Sequence, residues 1–102
     1  MPEKHRVASL GEIPAETGLE VIAGGRVIAL FRIDGKVQAI DGICAHAGGP
    51  LARGTITNGV VTCPWHGWQY DVSTGTHCLT PTICQQTFAV TVEGDDVFVE
   101  LC

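Results

Sequence analysis

Two short segments of this chain each combine a cysteine with a histidine. Cys44 and His46 are separated by one residue, and Cys63 and His66 by two. Sixteen residues lie between His46 and Cys63, and they include Asn58-Gly59, a hairpin signal because both residue types tolerate positive φ. A hairpin of this length can return the second segment to face the first. Two thiolates and two imidazoles would then meet at one point, which predicts a metal site.

The order of the four candidate ligands indicates which metal group they hold. In a Rieske [2Fe–2S] centre, two Cys bind one iron and two His bind the other. Two loops that each supply one Cys and one His can place the thiolates at an inner iron and the imidazoles near the surface. Structural zinc sites usually keep their cysteines together and their histidines together along the chain. The alternating order favours the iron–sulfur cluster, with zinc or a chance grouping of Cys and His as the alternatives.

The rest of the sequence predicts an antiparallel β scaffold that positions these two loops. Helical periodicity is absent, and short β-branched runs alternate with turn signals such as Gly24-Gly25 and Asp34-Gly35. The pattern breaks at Gly42–Arg53 and Cys63–Trp68, the loops that carry the candidate ligands, and Leu10–Gly18 is expected to be an irregular loop. The predicted strands are Arg6–Leu10, Leu19–Ala23, Val27–Ile33, Val37–Asp41, Thr55–Thr57, Val60–Thr62, Gln69–Asp71, Thr76–Leu79, Thr87–Val92 and Val97–Leu101.

Length and composition restrict the class of protein. A chain of 102 residues predicts one domain over residues 1–102, and 45% apolar with 17% charged residues is typical of a globular protein. The net charge of −5 argues against nucleic acid as a partner. No apolar run reaches the roughly 20 residues of a membrane helix and no signal peptide is evident, so we expect a cytoplasmic protein with no membrane partner. Without a secretory signal, five cysteines predict no disulfide framework, which leaves Cys78, Cys84 and Cys102 without an assigned role.

The two ligand segments resemble a known family. Cys44–Leu51 and Cys63–Asp71 are similar to the two-box signature of Rieske proteins, and most similar to the Rieske-type ferredoxins of bacterial ring-hydroxylating dioxygenases. The segments also resemble the small subunit of assimilatory nitrite reductase. The resemblance implies an all-β Rieske-type fold of three antiparallel sheets, with a cluster-binding subdomain at one tip, at about residues 42–82. It also implies a third loop, Thr80–Thr82 with Pro81 at its centre, that covers the cluster.

The resemblance carries particular roles to particular residues. It implies that Cys44, His46, Cys63 and His66 hold one [2Fe–2S] cluster.

Around the cluster, Gly48 would turn the first loop, Leu51 would pack beneath the cluster, and Tyr70 matches a tyrosine that can bond a ligand sulfur. Gly49 and Trp65 stand where the respiratory branch of the family has a disulfide, and Trp68 stands where that branch has a serine. Because hydrogen bonds to sulfur reduce the negative charge of the cluster, their loss predicts a potential near the low end of the Rieske range, which begins at about −150 mV.

The expected function is one-electron transfer rather than catalysis. The resemblance implies a carrier between a flavin-dependent reductase and a terminal oxygenase. The alternatives are a small subunit paired with a large subunit of a nitrite reductase, or a binding module that senses redox state. The chain is too short to add a flavin domain, and two of its four histidines are committed to the cluster, so no site for a mononuclear iron is available. Arg53 is the only Lys, Arg, Asp or Glu between Ile43 and Trp68, which predicts a nearly neutral docking surface at the tip.

Overall fold

The computed structural model describes residues 3–13, 18–33, 35–43, 50–65, 67–75 and 86–101. In these ranges the chain forms ten strands and two single-turn 3₁₀ helices, Leu10–Glu12 and Leu51–Arg53. The strands are β1 (Glu3–Ser9), β2 (Gly18–Ala23), β3 (Arg26–Ile33), β4 (Lys36–Asp41), β5 (Thr55–Thr57), β6 (Val60–Thr62), β7 (Gln69–Asp71), β8 (Thr87–Phe88), β9 (Val90–Glu93) and β10 (Asp96–Leu101). Within the same ranges, no helix has the length and apolar character that crossing a membrane requires.

The strands form three sheets, and every strand pair is antiparallel. The terminal sheet has the order β1-β10-β9, the central sheet β2-β3-β4-β8, and the small sheet β5-β6-β7. The all-β prediction and the three antiparallel sheets that the family resemblance implied are confirmed. Nine of the ten predicted strand regions coincide with observed strands, and Thr76–Leu79 lies outside the described residues.

β3 contributes side chains to two cores, because successive side chains of a strand point to opposite faces of the sheet. Ile28 and Leu30 face the base core, which lies between the terminal and central sheets. Ala29 and Phe31 face the upper core, which lies between the central and small sheets. All four residues are fully buried. Burial on both faces explains why this part of the sequence is a continuous apolar run rather than an alternating one.

The two cores differ in their members. The base core consists of Ala8, Ile13, Ala23, Ile28, Leu30, Ala39, Phe88, Val97, Val99 and Leu101. The upper core consists of Ala29, Phe31, Ile40, Leu51, Ala52, Val61, Cys63, Tyr70 and Val72. Strands that lie within one sheet therefore contribute to both cores, and the only thiol in either set belongs to the upper core.

Tight turns connect the strands where the sequence predicted them. Gly24 and Gly25 have φ of 55° and 77°, and Asn58 and Gly59 have φ of 52° and 75°. Positive φ at both central residues is the type I′ geometry, which matches the twist of the flanking strands. The second of these turns joins β5 to β6 and so returns the chain toward the upper core.

The structure corrects two details. The predicted strand Thr87–Val92 is interrupted at Ala89, because β8 pairs with β4 in the central sheet while β9 pairs with β10 in the terminal sheet. The backbone N–H of Glu100 donates to the carbonyl oxygen of Ala89 at 3.0 Å, which holds the chain where it changes sheets. The segment Leu10–Gly18 is not wholly irregular, since Leu10–Glu12 form a 3₁₀ turn and Gly18 begins β2.

Candidate metal centre

Cys63 follows β6 directly and its side chain is buried in the upper core, with 1% of its surface exposed. The backbone N–H of Cys63 donates to the carbonyl oxygen of Trp68 at 2.7 Å. This bond extends the ladder of β6 and β7, whose last pair is Thr62 with Gln69. The second ligand loop is therefore closed at its base by continuation of an antiparallel hairpin.

The first ligand loop is also closed at its base. Ile43 and Pro50 form an isolated antiparallel bridge, and the backbone N–H of Leu51 donates to the carbonyl oxygen of Gly42 at 3.0 Å. The N–H of Ile43 donates to the carboxylate of Asp41 at 3.0 Å, which fixes the direction in which β4 ends. Residues 44–49 lie between these contacts, so both ends of that six-residue segment are held together.

The bases of the two loops lie against each other. A Cβ at Gly54 would be 2.2 Å from the carbonyl oxygen of Thr62 and 3.1 Å from that of Leu51. Only a glycine permits so close an approach of the backbone after the first loop to the backbone of β6. Leu51 and Cys63 also belong to the same buried cluster. The fold thus brings the exit of the first loop to the cysteine of the second.

The structure describes several of the predicted site residues. Leu51 and Tyr70 are fully buried in the upper core with Cys63. Trp68 is partly buried against that core, whereas Trp65 is 51% exposed. The predicted site residues Cys44, His46, Gly48, His66 and Pro81 lie outside the described residues.

Sequence reasoning did not single out Gly54, although it determines how closely the two loops approach. The only local signal is a glycine that immediately precedes a strand, and such a glycine is common in turns. Gly18 has a similar role, since a Cβ there would be 2.4 Å from the carbonyl oxygen of Ala52. These contacts join the central sheet to the backbone that leaves the first loop.

The residues present fit an iron–sulfur cluster. A thiol buried among apolar groups at the base of a loop suits the inner iron, because cluster sulfur ligands are held away from solvent. Trp65 is exposed, and it precedes His66, the expected imidazole ligand of the outer iron, in the sequence. Cys44 and Cys63 would supply the thiolates, and His46 and His66 the imidazoles.

Comparison with known proteins agrees with this fit. The model of the Rieske [2Fe–2S] domain matches residues 3–98, and the chain belongs to that family. Its cofactor is one [2Fe–2S] cluster, so the zinc alternative is wrong. The ferredoxin component of the naphthalene 1,2-dioxygenase system of Pseudomonas aeruginosa is 31% identical over 94 residues, which are 91% of this chain and 90% of that protein.

Solved structures share the fold. One chain in the complex of reduced oxygenase and oxidized ferredoxin in carbazole 1,9a-dioxygenase is 26% identical, with a TM-score of 0.85, and the match covers 94% of this chain and 91% of that one. A Mycobacterium tuberculosis chain, described as the small subunit of an NADH-dependent nitrite reductase, has a TM-score of 0.92 over 100% of this chain and 97% of its own. At 18% identity the second match shows the fold alone.

Proposed function

We propose that this chain carries single electrons as the ferredoxin component of an oxygenase system. It takes an electron from a flavin-dependent reductase and delivers it to a terminal oxygenase. The observation that carries this proposal is the similarity over 91% of the chain to a dioxygenase ferredoxin component, at matched length. The likeness to a nitrite reductase subunit concerns the fold alone, and so it does not favour the alternative assignment.

The cluster supplies a site that accepts and releases one electron, and the protein determines how that site is presented. Cys63 lies in the upper core, so its side of the cluster is shielded from water and from partners. His46 and His66 would hold the other iron on the side that partners reach. Burial on one side and exposure on the other gives the electron a single direction of entry and exit.

The expected docking surface lies around the ligand loops. Ile43 is 48% exposed at the base of the first loop, and Trp65 is 51% exposed in the second. Apolar side chains exposed beside a redox centre favour brief contacts with a partner, because their burial contributes binding energy without requiring exact charge pairing. Arg53 is exposed on the 3₁₀ helix that follows the first loop. It would add one positive charge at the rim of this surface.

We also propose a low reduction potential. Gly49 and Trp65 cannot form the disulfide of the respiratory branch, and Trp68 has no hydroxyl to donate to a bridging sulfide. Fewer donors leave more electron density on the cluster, which makes reduction harder. A redox titration followed by electron paramagnetic resonance should give a midpoint nearer to about −150 mV than to about +300 mV, the two ends of the Rieske range. A midpoint in the upper half of that range would contradict this part of the proposal.

The function is tested with purified components of the naphthalene 1,2-dioxygenase system. The holoprotein should contain two irons and two sulfides, following the cluster type, and should take up one electron per chain. With NADH and the reductase component, its visible absorption should bleach; after mixing with oxidised oxygenase component in a stopped-flow instrument, the absorption should return. Cys63→Ser protein serves as the control without a cluster. A holoprotein that neither accepts an electron from the reductase component nor passes one to the oxygenase component would contradict the partner assignment but not the cofactor.

A further inference from the structure

Three strand ends meet at one edge of the central sheet, beside the base of the first ligand loop. β3 begins at Arg26, β4 ends at Asp41, and Gln86 immediately precedes β8. Because neighbouring strands of this sheet are antiparallel, the starts of β3 and β8 lie at the same edge as the end of β4. The chain that enters the first ligand loop therefore lies beside the chain that enters β8.

Asp41 contacts both of these chain segments. Its Oδ1 atom accepts a hydrogen bond from the N–H of Ile43 at 3.0 Å, at the base of the first ligand loop. Its own backbone N–H donates to the carbonyl oxygen of Gln86 at 2.8 Å. Its Oδ2 atom lies 3.7 Å from Nη2 of Arg26. The carboxylate thus connects the loop base to a cation on the neighbouring strand.

Arg26 completes the connection on the other side. Its Nη2 atom donates to Oε1 of Gln86 at 2.7 Å, while the same atom faces the carboxylate of Asp41. The carbon of its guanidinium group lies 5.1 Å from the ring centre of Phe88, within the range of a cation–π contact. Phe88 belongs to the base core, so the guanidinium group rests on a packed ring while it bridges two polar partners.

We propose that Arg26 is a positioning residue for the cluster. By holding Asp41 and Gln86 together, it restricts the opening of the first ligand loop away from the chain that enters β8. Cys44 and His46, two of the expected ligands, belong to that loop, and local opening of its base exposes the cluster and varies its ligand geometry. This role goes beyond electron transfer, since it concerns how firmly the cluster is held and is independent of any partner.

Arg26→Met tests the proposal, because methionine keeps an apolar side chain over Phe88 but has no donor and no charge. Arg6→Met is the matched control. Arg6 also contacts one carboxylate, that of Asp96 at 2.9 Å, and one further side-chain oxygen, that of Ser9 at 2.8 Å. Its side chain is 50% exposed, against 43% for Arg26. The control lies in the terminal sheet, away from both ligand loops.

The first measurement is the rate at which the visible absorption of the oxidised holoprotein bleaches in excess chelator. Arg26→Met should bleach about five- to tenfold faster than the unchanged protein, since hydrogen bonds of charged groups resist local opening. Arg6→Met should bleach at the unchanged rate. An unchanged rate in Arg26→Met, or equal acceleration in the two variants, would overturn the proposal.

The electron paramagnetic resonance spectrum of the reduced protein separates positioning from stability. Its lines should broaden in Arg26→Met, because the ligand geometry becomes more varied, and should keep their width in Arg6→Met. Faster bleaching of Arg26→Met with an unchanged spectrum would mean that the variant has lost stability alone, which would overturn the positioning role.

A double-mutant cycle tests whether Arg26 acts through Gln86. Gln86→Ala removes the acceptor and should accelerate bleaching about threefold. The double variant should bleach no faster than Arg26→Met alone, because both changes break the same contact. Fold-changes that multiply would mean that the two residues act independently and would overturn the bridge. No partner protein enters these measurements, so their outcome is separate from that of the electron-transfer test.

Discussion

The base and the upper part of this molecule are built differently around one shared sheet. Five strands of the terminal and central sheets have six to eight residues, whereas every strand of the small sheet has three. The base core contains only hydrocarbon side chains, while the upper core includes the thiol of Cys63 and the phenol group of Tyr70. Long strands around an apolar core can be stabilised by their own hydrogen bonds and packing. The upper part has shorter strands, and we expect a cluster bound through Cys63 to add to its stability.

The largest expected effect follows from removing a ligand of the cluster. Cys63→Ser should abolish the visible absorption and lower the melting temperature by several degrees, since metal binding contributes to folding. Hydrogen exchange should then increase in β5–β7 far more than in β10. If the Cys63→Ser protein has the same melting temperature as the holoprotein, the upper part needs no cluster for stability.

A matched pair of core substitutions compares the two parts directly. Leu30 and Leu51 are both fully buried, the first in the base core and the second in the upper core. Each change to Ala should cost about 2–5 kcal/mol of unfolding free energy, from lost burial and the cavity that remains. Denaturant unfolding checks this cost in both variants. Leu51→Ala should also reduce the cluster content, whereas Leu30→Ala should leave the cluster content of the folded fraction unchanged. An equal loss of cluster in both variants would mean that the two cores do not differ in their coupling to the cluster.

Substitutions of exposed apolar residues in the two parts should differ in their effect on electron transfer rather than on stability. Trp65 is 51% exposed beside the ligand loop, and Ile22 is 72% exposed on β2. Trp65→Ala should slow electron transfer to the oxygenase component about tenfold, since aromatic residues at the centre of an interface often contribute more than about 1 kcal/mol. Ile22→Ala is the control and should leave the rate unchanged in stopped-flow measurements. The midpoint potential should be the same in both variants.

The smallest effect is expected from the surface of the base. Arg6 bonds the carboxylate of Asp96 at 2.9 Å, with both side chains about half exposed. Exposed ion pairs contribute about 0–1 kcal/mol, so Arg6→Ala should shift thermal unfolding only slightly and less so at high salt. Its cluster spectrum and electron-transfer rate should be those of the unchanged protein. A large loss of cluster would mean that the terminal sheet is coupled to the ligands more strongly than its position implies.

Much of this architecture could be predicted because its signals are local. The pairs Gly24-Gly25 and Asn58-Gly59 indicate type I′ turns on their own, and the apolar runs between the turns give the strands. The interruption at Ala89 could not be predicted, since Phe88 and Val90 continue an alternating pattern and only pairing with different sheets breaks the strand. Val92 continues the same pattern yet is 44% exposed, because β9 is the outer strand of its sheet.

The chemistry of the site was predictable from residue types, but its spatial arrangement was not. The alternating order of Cys44, His46, Cys63 and His66 favours a mixed-ligand cluster over a zinc site. The close approach at Gly54 has no such signal, because it depends on the backbone of β6 and on Leu51, which are brought there by folding. Residue identity predicts the ligands, while the distance between the bases of the two loops is a property of the packed molecule.

The position of β3 has a consequence for anyone who wishes to graft this redox centre onto another protein. Phe31 belongs to the upper core and Leu30 to the base core, on adjacent positions of one strand. A transplant that takes only residues 42–82 leaves behind the apolar surface on which Leu51 and Tyr70 rest. The smallest portable unit must therefore include β3, and with it a second face that the recipient protein has to cover with a core of its own.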